Sequence, residues 1–346
     1  MVETISIQEQ AAQPFSSRPH LVILGAGASR AALPAGDRRG RQLPLMRTLT
    51  ETLGLTPILE KYGLVDRAED FEALYSYLHS SGKSPKLRVI LEEAVRDYFS
   101  ALELPDQLTI YDRLVLGLRE KDVIATFNWD PLLFQTMVRY HGKAPLPKVL
   151  YLHGNVAIGY CELDRIKGPI QGECIKCGGP FMPSRLLFPV SDKNYAADPL
   201  LKAEWASLQA VLQDAYLLTI FGYGAPGTDA KAVEIMKEAW LKSGERGIEE
   251  VEIIDIRDEA DLRSLWTSFI VGSHYRIKKT FDRSIAARWP RRSCEAIWNQ
   301  FMMLKISEEY PIPSGGTVSD VQEYIRPFLA PEIMGVASSR APIPDG

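Results

Sequence analysis

Five apolar runs of strand length recur along the chain, and each is followed by a turn and then by a helical pattern. They read HLVIL, DVIATF, KVLYL, AYLLTIF and VEIIDI. Apolar residues fill almost every position of these runs, which is typical of strands that are buried on both faces. Helices on both sides of a parallel sheet produce such burial. The pattern therefore predicts an α/β protein with a Rossmann-like parallel sheet and helices on both faces.

The segments between and beyond these runs predict the other parts of the molecule. LPLMRTLTETL, FEALYSYLHS and KLRVILEEAVRDYFSAL carry apolar residues at three- and four-residue steps, which predicts a small helical insertion at about 40–118. We expect a main domain at 19–280 and a C-terminal helical segment at 281–330. The ends at 1–18 and 331–346 are expected to be flexible, the latter because it is rich in small residues and proline.

Charge and hydropathy exclude several classes of protein. The 346 residues carry a net charge of −4, so no basic excess points to nucleic-acid binding. The first residues show no cationic flank with an apolar core, and no apolar run reaches the roughly 18 residues that a membrane span needs, so we expect neither a secretory leader nor a membrane span. We therefore expect a cytoplasmic protein with no direct contact to nucleic acid or membrane.

The stretch VIATFNWDPLLF, from Val123 to Phe134, places polar residues at the end of a strand. Asn128 and Asp130 follow the apolar run, and a helical pattern begins after Pro131. Ligands of open α/β sheets lie at the carboxyl ends of strands, so this cluster is a candidate for chemistry. The alternative is that Asn128 and Asp130 cap the following helix.

A glycine-rich turn, GAGAS, follows the first strand. Gly25 and Gly27 permit a tight turn whose backbone N–H groups approach a phosphate, and the next helix adds a favourable dipole. The stretch lacks the third glycine of the dinucleotide fingerprint. A plain turn from strand to helix is the alternative.

A histidine follows the third strand in the stretch YLHGN. His153 is placed to act as a general base near neutral pH, and Gly154 allows a ligand to come close. A hydrogen-bonded structural histidine is the alternative.

Three of the four cysteines cluster in the segment CELDRIKGPIQGECIKCGG. Cys174 and Cys177 have the spacing of a zinc knuckle, and Cys161 and Asp164 repeat that spacing with a carboxylate as the fourth ligand. This predicts a small zinc-ribbon-like module at about 155–183. A loop of the same shape without metal is the alternative. Clustered cysteines also fit a reducing compartment better than a disulfide scaffold.

In this order the motifs resemble the sirtuin superfamily. GAGAS is similar to its first glycine-rich loop, TFNWD to its Thr-Gln-Asn-Ile-Asp motif, and YLHG to its catalytic His-Gly. The cysteine cluster is similar to its zinc ribbon, GYG to its Gly-Thr-Ser loop, and IIDIRD to the strand that ends at the adenosine ribose. The resemblance spans about Pro19 to Arg276.

The resemblance implies that NAD is the substrate and that Asn128 and His153 are the catalytic pair. His153 would deprotonate a ribose hydroxyl or the water, and Asn128 would orient the ribose or the water. Both side chains are expected at solvent-accessible strand ends. The residues that the resemblance implies for NAD binding are Gly25, Ala26, Gly27, Ser29, Thr126, Phe127, Asp130, Gly222, Tyr223, Gly224 and Asp255.

Two departures separate this chain from the protein-deacylating sirtuins. After the first loop it keeps Pro34 but lacks the Phe-Arg that follows in those enzymes. Phe188, Pro189 and Val190 stand where they have Phe-Gly-Glu on a strand that grips the acylated peptide. Pro189 has no N–H to donate to an added peptide strand.

These departures resemble the sirtuin-like NAD hydrolases of bacterial anti-phage defence. That branch implies hydrolysis of NAD to nicotinamide and ADP-ribose. Because free-running NAD loss would kill the cell, we expect control by a homo-oligomer or by a complex with a second defence protein. The alternatives are an NAD-dependent protein deacylase and a non-catalytic sensor of NAD or ADP-ribose.

Overall fold

The computed structural model describes residues 3–14, 16–190, 193–196, 198–242, 249–271 and 273–333. Within these ranges the strands are β1 Thr4–Ile5, β2 His20–Leu24, β3 Val123–Thr126, β4 Lys148–Tyr151, β5 Ile158–Cys161, β6 Ile166–Pro169, β7 Met182–Pro183, β8 Leu217–Phe221, β9 Glu250–Ile254, β10 His274–Lys278 and β11 Ile306–Ser307.

The α-helices in the same ranges vary from single turns to four turns. They are α1 Ile7–Ala12, α2 Ala26–Ala32, α3 Met46–Thr52, α4 Thr56–Lys61, α5 Phe71–Ser81, α6 Pro85–Ser100, α7 Ile110–Gly117, α8 Leu132–Tyr140, α9 Pro199–Asp214, α10 Ala230–Leu241, α11 Glu259–Leu265, α12 Thr267–Ile270, α13 Ile285–Arg288, α14 Ser293–Met302 and α15 Val318–Ile333. No helix of the described ranges is both long and apolar enough to cross a bilayer.

The central sheet is entirely parallel among the described residues, in the order β4-β3-β2-β8-β9-β10. β2, the first strand of this sheet in the chain, lies in the middle. β3 and β4 follow on one side of it, and β8, β9 and β10 follow on the other side. This is the doubly wound order, and its topological switch point lies between β2 and β8. The predicted parallel sheet is confirmed.

Side chains of β2 alternate between two hydrophobic layers. Val22 and Leu24 belong to a core shared with α5, α6, α7 and α8. Leu21 and Ile23 belong to a second core, shared with α9, α10 and α12. Helices on both faces of the sheet are thereby confirmed, and they explain why the strand carries an apolar residue at nearly every position.

The predicted helical insertion corresponds to α3 to α7, which connect β2 to β3. The predicted ribbon-like module corresponds to an antiparallel sheet in the order β6-β5-β7. A third hydrophobic cluster joins α13 and α14 of the C-terminal segment to Tyr216 and Leu217 at the start of β8. The division of the chain into domains stays a prediction.

The N-terminal segment differs from the flexible end expected for 1–18. Thr4 and Ile5 pair in parallel with Ile306 and Ser307 of β11, and α1 begins with a capping box between Ser6 and Glu9. This serine-to-glutamate spacing is a helix-start signal that the apolar pattern alone does not register. At the other end, α15 runs to residue 333, and the rest of the predicted tail lies outside the described residues.

Candidate functional site

Two glycine-rich loops meet at the topological switch point. A Cβ atom on Gly25 would lie 2.5 Å from the Cα of Tyr223, and one on Gly27 would lie 2.9 Å from the Cα of Gly222. Gly222 also has a φ of +61°, which side chains disfavour. The glycines after β2 and β8 are therefore required for the two loops to pack against each other.

This packing uses backbone groups that sequence reasoning assigned to a phosphate. The N–H of Gly25 donates to the carbonyl of Phe221 at 3.0 Å, and the N–H of Gly27 donates to the carbonyl of Gly222 at 3.0 Å. Phosphate binding by the GAGAS turn stays a prediction, and in this conformation the amides of Gly25, Gly27 and Ala28 already have partners.

Asn128 points back toward the loop after β2. Its amide nitrogen donates to the carbonyl of Gly25 at 2.9 Å and to Ser29 Oγ at 2.8 Å, and it lies 3.4 Å from the hydroxyl of Tyr111. The helix-facing role belongs to Asp130, whose Oδ1 accepts the amide of Leu132, the first residue of α8, at 3.1 Å. Asn128 therefore joins strand ends and does not cap the helix.

Ser29 lies at the centre of this buried polar group. Its hydroxyl donates to Asp130 Oδ2 at 2.7 Å and lies 2.6 Å from the hydroxyl of Tyr111. Burial raises the pKa of Asp130, against the lowering effect of its hydrogen bond with Ser29. Burial also raises the pKa of Tyr111, which therefore stays a neutral hydrogen-bonding group.

His153 lies two residues beyond the end of β4, beside charged groups that sequence reasoning missed. Its Nε2 lies 3.6 Å from Asp229 Oδ1 and has no hydrogen-bond partner among the described residues. Asp229 is ion-paired with Lys193 and accepts a hydrogen bond from the hydroxyl of Tyr223 at 3.0 Å. Burial lowers the pKa of His153 to about 4, against the raising effect of Asp229.

A sequence signal for Asp229 exists, whereas none exists for Lys193. Asp229 ends the segment GYGAPGTD, which follows β8 and so lies at the same edge of the sheet as the other strand-end residues. Lys193 belongs to the connection between the ribbon-like module and α9, and no spacing rule predicts its ion pair.

Aromatic rings cover the side of His153. Phe127 meets the imidazole edge-on with centroids 4.8 Å apart, and it stacks on Tyr223 at 4.0 Å with the planes 4° apart. Thr126 Oγ1 accepts the amide of Asn128 at 3.0 Å. The motif TFN thus fixes the backbone of the strand end and brings an aromatic wall to the histidine.

Asn128 and His153 line one small cavity of about 70 Å³. Both side chains are buried, with 8% and 6% of their residue surface exposed, whereas accessible strand ends were expected. The other lining residues are Ala26, Ser29, Leu43, Pro44, Leu45, Met46, Leu49, Phe99, Phe127, Trp129 and Asp130. Trp129, like His153, carries a buried ring nitrogen without a hydrogen-bond partner in the described part of the chain.

Asp255 lies at the end of β9, outside this cavity. Its carboxylate accepts the backbone amide of Arg257 at 2.9 Å and the guanidinium of Arg257 at 2.8 and 3.1 Å. Burial raises the pKa of Asp255, but the bonds from Arg257 outweigh burial and lower it. A ribose contact at Asp255 stays a prediction and would compete with Arg257.

A wider cleft of about 550 Å³ has Lys193 in its lining. It runs between α5 and α6 of the insertion and the segment 185–190. Pro189 is fixed there, since its carbonyl accepts the hydroxyl of Ser76 at 2.8 Å. Arg88, Arg96 and Arg185 line the cleft together with Glu92 and Glu93.

The cysteine cluster is assembled as the spacing predicts. One ligand atom each from Cys161, Asp164, Cys174 and Cys177 lies within 4.8 Å of the others. The Cys161 and Cys177 sulfurs are 3.6 Å apart, and Cys161 Sγ is 3.6 Å from Asp164 Oδ2. Tetrahedral zinc with bonds of about 2.3 Å to sulfur and 2.0 Å to oxygen places its ligands at about these separations. The donor set therefore fits a structural zinc ion.

Neither a family model nor a curated protein matches the chain. Among solved structures, a complex of Sir2 with an inhibitor, 2′-O-acetyl-ADP-ribose and a deacetylated p53 peptide aligns at 15% identity, with a TM-score of 0.36 over 76% of this chain and 88% of that one. A Sir2 homologue with NAD aligns at 14%, with a TM-score of 0.33 over 85% and 93%. A complex of Sir2 with a p53 peptide and NAD+ aligns at 14%, with a TM-score of 0.36 over 85% and 97%. At these values the likeness carries no argument about chemistry.

Proposed function

We propose that the chain is an NAD hydrolase that cleaves NAD+ to nicotinamide and ADP-ribose with water as the nucleophile. The observation that carries the proposal is the convergence of Asn128 and His153 on one cavity at the carboxyl ends of β3 and β4. Ligands of doubly wound sheets bind at this edge. Trp129 in the lining carries an unpartnered ring nitrogen, which leaves a polar group for a substrate to satisfy.

The proposed reaction breaks the bond between C1′ of the ribose and the nicotinamide nitrogen. The bonding electron pair leaves with nicotinamide, and positive charge develops on the ribose as in glycoside cleavage. A water oxygen then bonds to C1′, and His153 accepts the proton that this water loses. Because burial lowers the pKa of His153 to about 4, the imidazole is neutral at pH 7 and has an unprotonated nitrogen for that proton. Asn128 holds the water or the ribose hydroxyls.

The cavity must open before NAD binds. Its volume of about 70 Å³ is below the roughly 300–1,000 Å³ that ligand pockets occupy. Phe127, which stacks on Tyr223, and the segment 43–49 form part of its walls. We propose that assembly, either into a homo-oligomer or with a second defence protein, moves one of these walls and so restricts NAD loss to the triggered state.

We place this activity in bacterial anti-phage defence, as an effector that depletes NAD in the cytoplasm. The support is the lack of a peptide-gripping strand: Pro189 has no N–H to donate, and its carbonyl is already bound to Ser76. A protein that needs no acylated peptide consumes NAD whenever its cavity is open. Such an activity suits an effector whose cavity stays closed until the trigger arrives.

A second candidate function, NAD-dependent protein deacylation, has one observation in its favour. The cleft of about 550 Å³ beside Lys193 is large enough for an acylated side chain, which would then replace water as the acceptor at C1′. Products distinguish the two functions. The purified protein is incubated with NAD+, with and without an acetylated peptide, and the products are separated by chromatography.

We expect nicotinamide and ADP-ribose in equal amounts without peptide, and no acetyl-ADP-ribose when peptide is added. Nicotinamide release that requires peptide, with the acetyl group transferred to ADP-ribose, would establish deacylation instead. Binding of NAD without any nicotinamide release, at every protein concentration, would favour the non-catalytic sensor.

A further inference from the structure

We propose that Asp229, held in place by Lys193 and Tyr223, is the positioning residue for His153. This inference rests on the proposed hydrolase function. It assigns a role in that function to Asp229 and Lys193, which none of the sequence motifs contains. Asp229 does not line the small cavity itself, so it acts through the imidazole of His153, which does.

The geometry is that of a carboxylate aimed at a ring nitrogen. Oδ1 of Asp229 lies 3.6 Å from Nε2 of His153, and both side chains are at least nine-tenths buried. That separation is just beyond a hydrogen bond, and such contacts commonly tighten when substrate binds. The carboxylate favours the tautomer that carries its proton on Nε2, which leaves Nδ1 unprotonated as the acceptor.

The reaction itself creates the need for Asp229. When His153 takes the proton from water, a buried imidazolium forms whose Nε2 has no other hydrogen-bond partner in the described structure. A buried charge without a partner is strongly disfavoured. The carboxylate of Asp229 supplies the opposite charge at the moment that it is needed, and the proton then passes to solvent as the product leaves.

Lys193 and Tyr223 hold Asp229 in its ionised form. Lys193 is ion-paired with Oδ1, and the hydroxyl of Tyr223 donates to Oδ2. Burial raises the pKa of Asp229, but the positive charges of His153 and Lys193 and the bond from Tyr223 outweigh it and lower the pKa. Since Tyr223 also stacks on Phe127, the carboxylate is tied to the aromatic wall beside the imidazole.

The first test removes only the charge. Asp229→Asn is expected to lower kcat for NAD+ cleavage at least about 100-fold, the lower end of what a well-placed proton acceptor contributes, while KM for NAD stays unchanged. The matched control is Asp122→Asn. Asp122 is also a buried partner of a lysine, Lys121, but it lies at the opposite edge of the sheet, and its loss should lower the melting temperature without lowering kcat.

A double variant separates positioning from ion-pair stability. Asp229→Asn with Lys193→Met removes both charges, so it leaves no unpaired buried ion. We expect it to melt close to the wild-type temperature and to keep the low kcat of Asp229→Asn. Recovery of wild-type kcat in the double variant would overturn the inference. It would show that Asp229→Asn lowers kcat only by leaving the charge of Lys193 buried and unpaired.

A titration of the histidine rings by NMR needs no activity. Among the described residues, the charged groups that act on His153 are Asp229 and Lys193. The ring of Tyr195 stacks on the imidazole with centroids 6.2 Å apart and stays neutral because burial raises its pKa. Lys193→Met should raise the pKa of His153 above its wild-type value, and Asp229→Asn should lower it, with the signal assigned by its loss in His153→Gln.

These outcomes distinguish the two proposals. Opposite shifts of the His153 titration in a protein that never releases nicotinamide would retain the electrostatic coupling and refute the hydrolase function. Loss of cleavage in His153→Gln together with wild-type kcat in Asp229→Asn would retain the hydrolase function and refute the role of Asp229. An unchanged His153 titration in both variants would also refute that role.

Discussion

Two buried histidines lie at opposite edges of the same sheet, each beside an aspartate that is paired with a lysine. His20 begins β2, and its backbone amide donates to Asp122, the partner of Lys121. His153 follows β4 and lies beside Asp229, the partner of Lys193. Burial lowers the pKa of both rings, to about 3 for His20 and about 4 for His153.

The hydrogen bonds of the two rings differ. Nδ1 of His20 lies 3.0 Å from Ser293 Oγ, and its Nε2 lies 2.8 Å from Thr219 Oγ1, so both nitrogens have a partner. Nε2 of His153 has none among the described residues. A satisfied buried histidine stabilises the fold, whereas an unsatisfied one at a cavity is held for a ligand or a proton. Burial and pKa alone do not separate the two cases.

The largest effect is expected from removing each ring in turn. His153→Ala should lower kcat for NAD+ cleavage by about 10²–10⁴-fold, because the proton acceptor is lost. His20→Ala should leave kcat at the wild-type level and destabilise the fold by about 2–5 kcal/mol, through the cavity and the two hydroxyls that lose a partner. Steady-state kinetics and thermal melting measure both. A comparable loss of kcat in the two variants would contradict the distinction between a structural His20 and a catalytic His153.

Asn128→Ala tests the other member of the catalytic pair. We expect loss of NAD+ cleavage of at least about 100-fold, together with destabilisation of about 1–3 kcal/mol, since the carbonyl of Gly25 and the hydroxyl of Ser29 lose a buried donor. Thr136→Val is a suitable control, because the hydroxyl of Thr136 is also buried and bonded to a backbone carbonyl. Wild-type cleavage by a folded Asn128→Ala protein would exclude Asn128 from the reaction.

Metal removal should affect stability more than chemistry. We expect about one zinc per chain in protein purified without chelator, as a closed four-ligand site implies. Chelation or Cys174→Ala should unfold the small sheet of β5, β6 and β7 before the main sheet. Metal analysis with chelator-dependent melting is the measurement. A metal-free protein that melts at the same temperature with and without chelator would contradict a structural zinc.

The smallest effect is a pH dependence of stability that comes from Glu252. Its carboxylate accepts the hydroxyl of Thr219, the residue that also contacts Nε2 of His20. Burial raises the pKa of Glu252 from 4.5 to about 7, so the folded state binds more protons than the unfolded chain between these values. The free energy of unfolding should therefore fall as pH rises from about 5 to 7. Glu252→Gln should be more stable than wild type by about 1–2 kcal/mol at pH 8 and no more stable at pH 4.5, without a change in kcat. The free energy of unfolding is measured by denaturation at several pH values. A difference between the two proteins that stays the same at every pH would contradict this prediction.

The sequence predicts more of the fold than of the site. Apolar runs reveal the sheet because burial on both faces requires an apolar residue at nearly every position of β2, β3 and β8. The cysteine spacing reveals the candidate zinc ligands because these four residues are close in the chain. The capping box of α1 was available in the sequence, but an apolar pattern does not register it.

The charged environment of His153 could not be predicted in this way. Asp229 and Lys193 are distant in the chain from His153 and from each other. Asp229 comes close to His153 because β4 and β8 end at the same edge of the sheet, and Lys193 reaches both from the connection before α9. The expectation of accessible side chains failed for a related reason: Phe99, Phe127 and the segment 43–49 line the cavity together with Asn128 and His153 and bury them. Their approach depends on long-range packing and not on local spacing.

The most direct test of the central claim is the product analysis of NAD+ incubated with the purified protein alone, over a range of protein concentrations that includes the assembled state. We predict that nicotinamide and ADP-ribose appear in equal amounts without any acylated peptide, and that both disappear in Asn128→Ala and in His153→Ala but persist in His20→Ala. Release of nicotinamide only in the presence of an acetylated peptide, or no release from NAD+ at any concentration, would contradict the account.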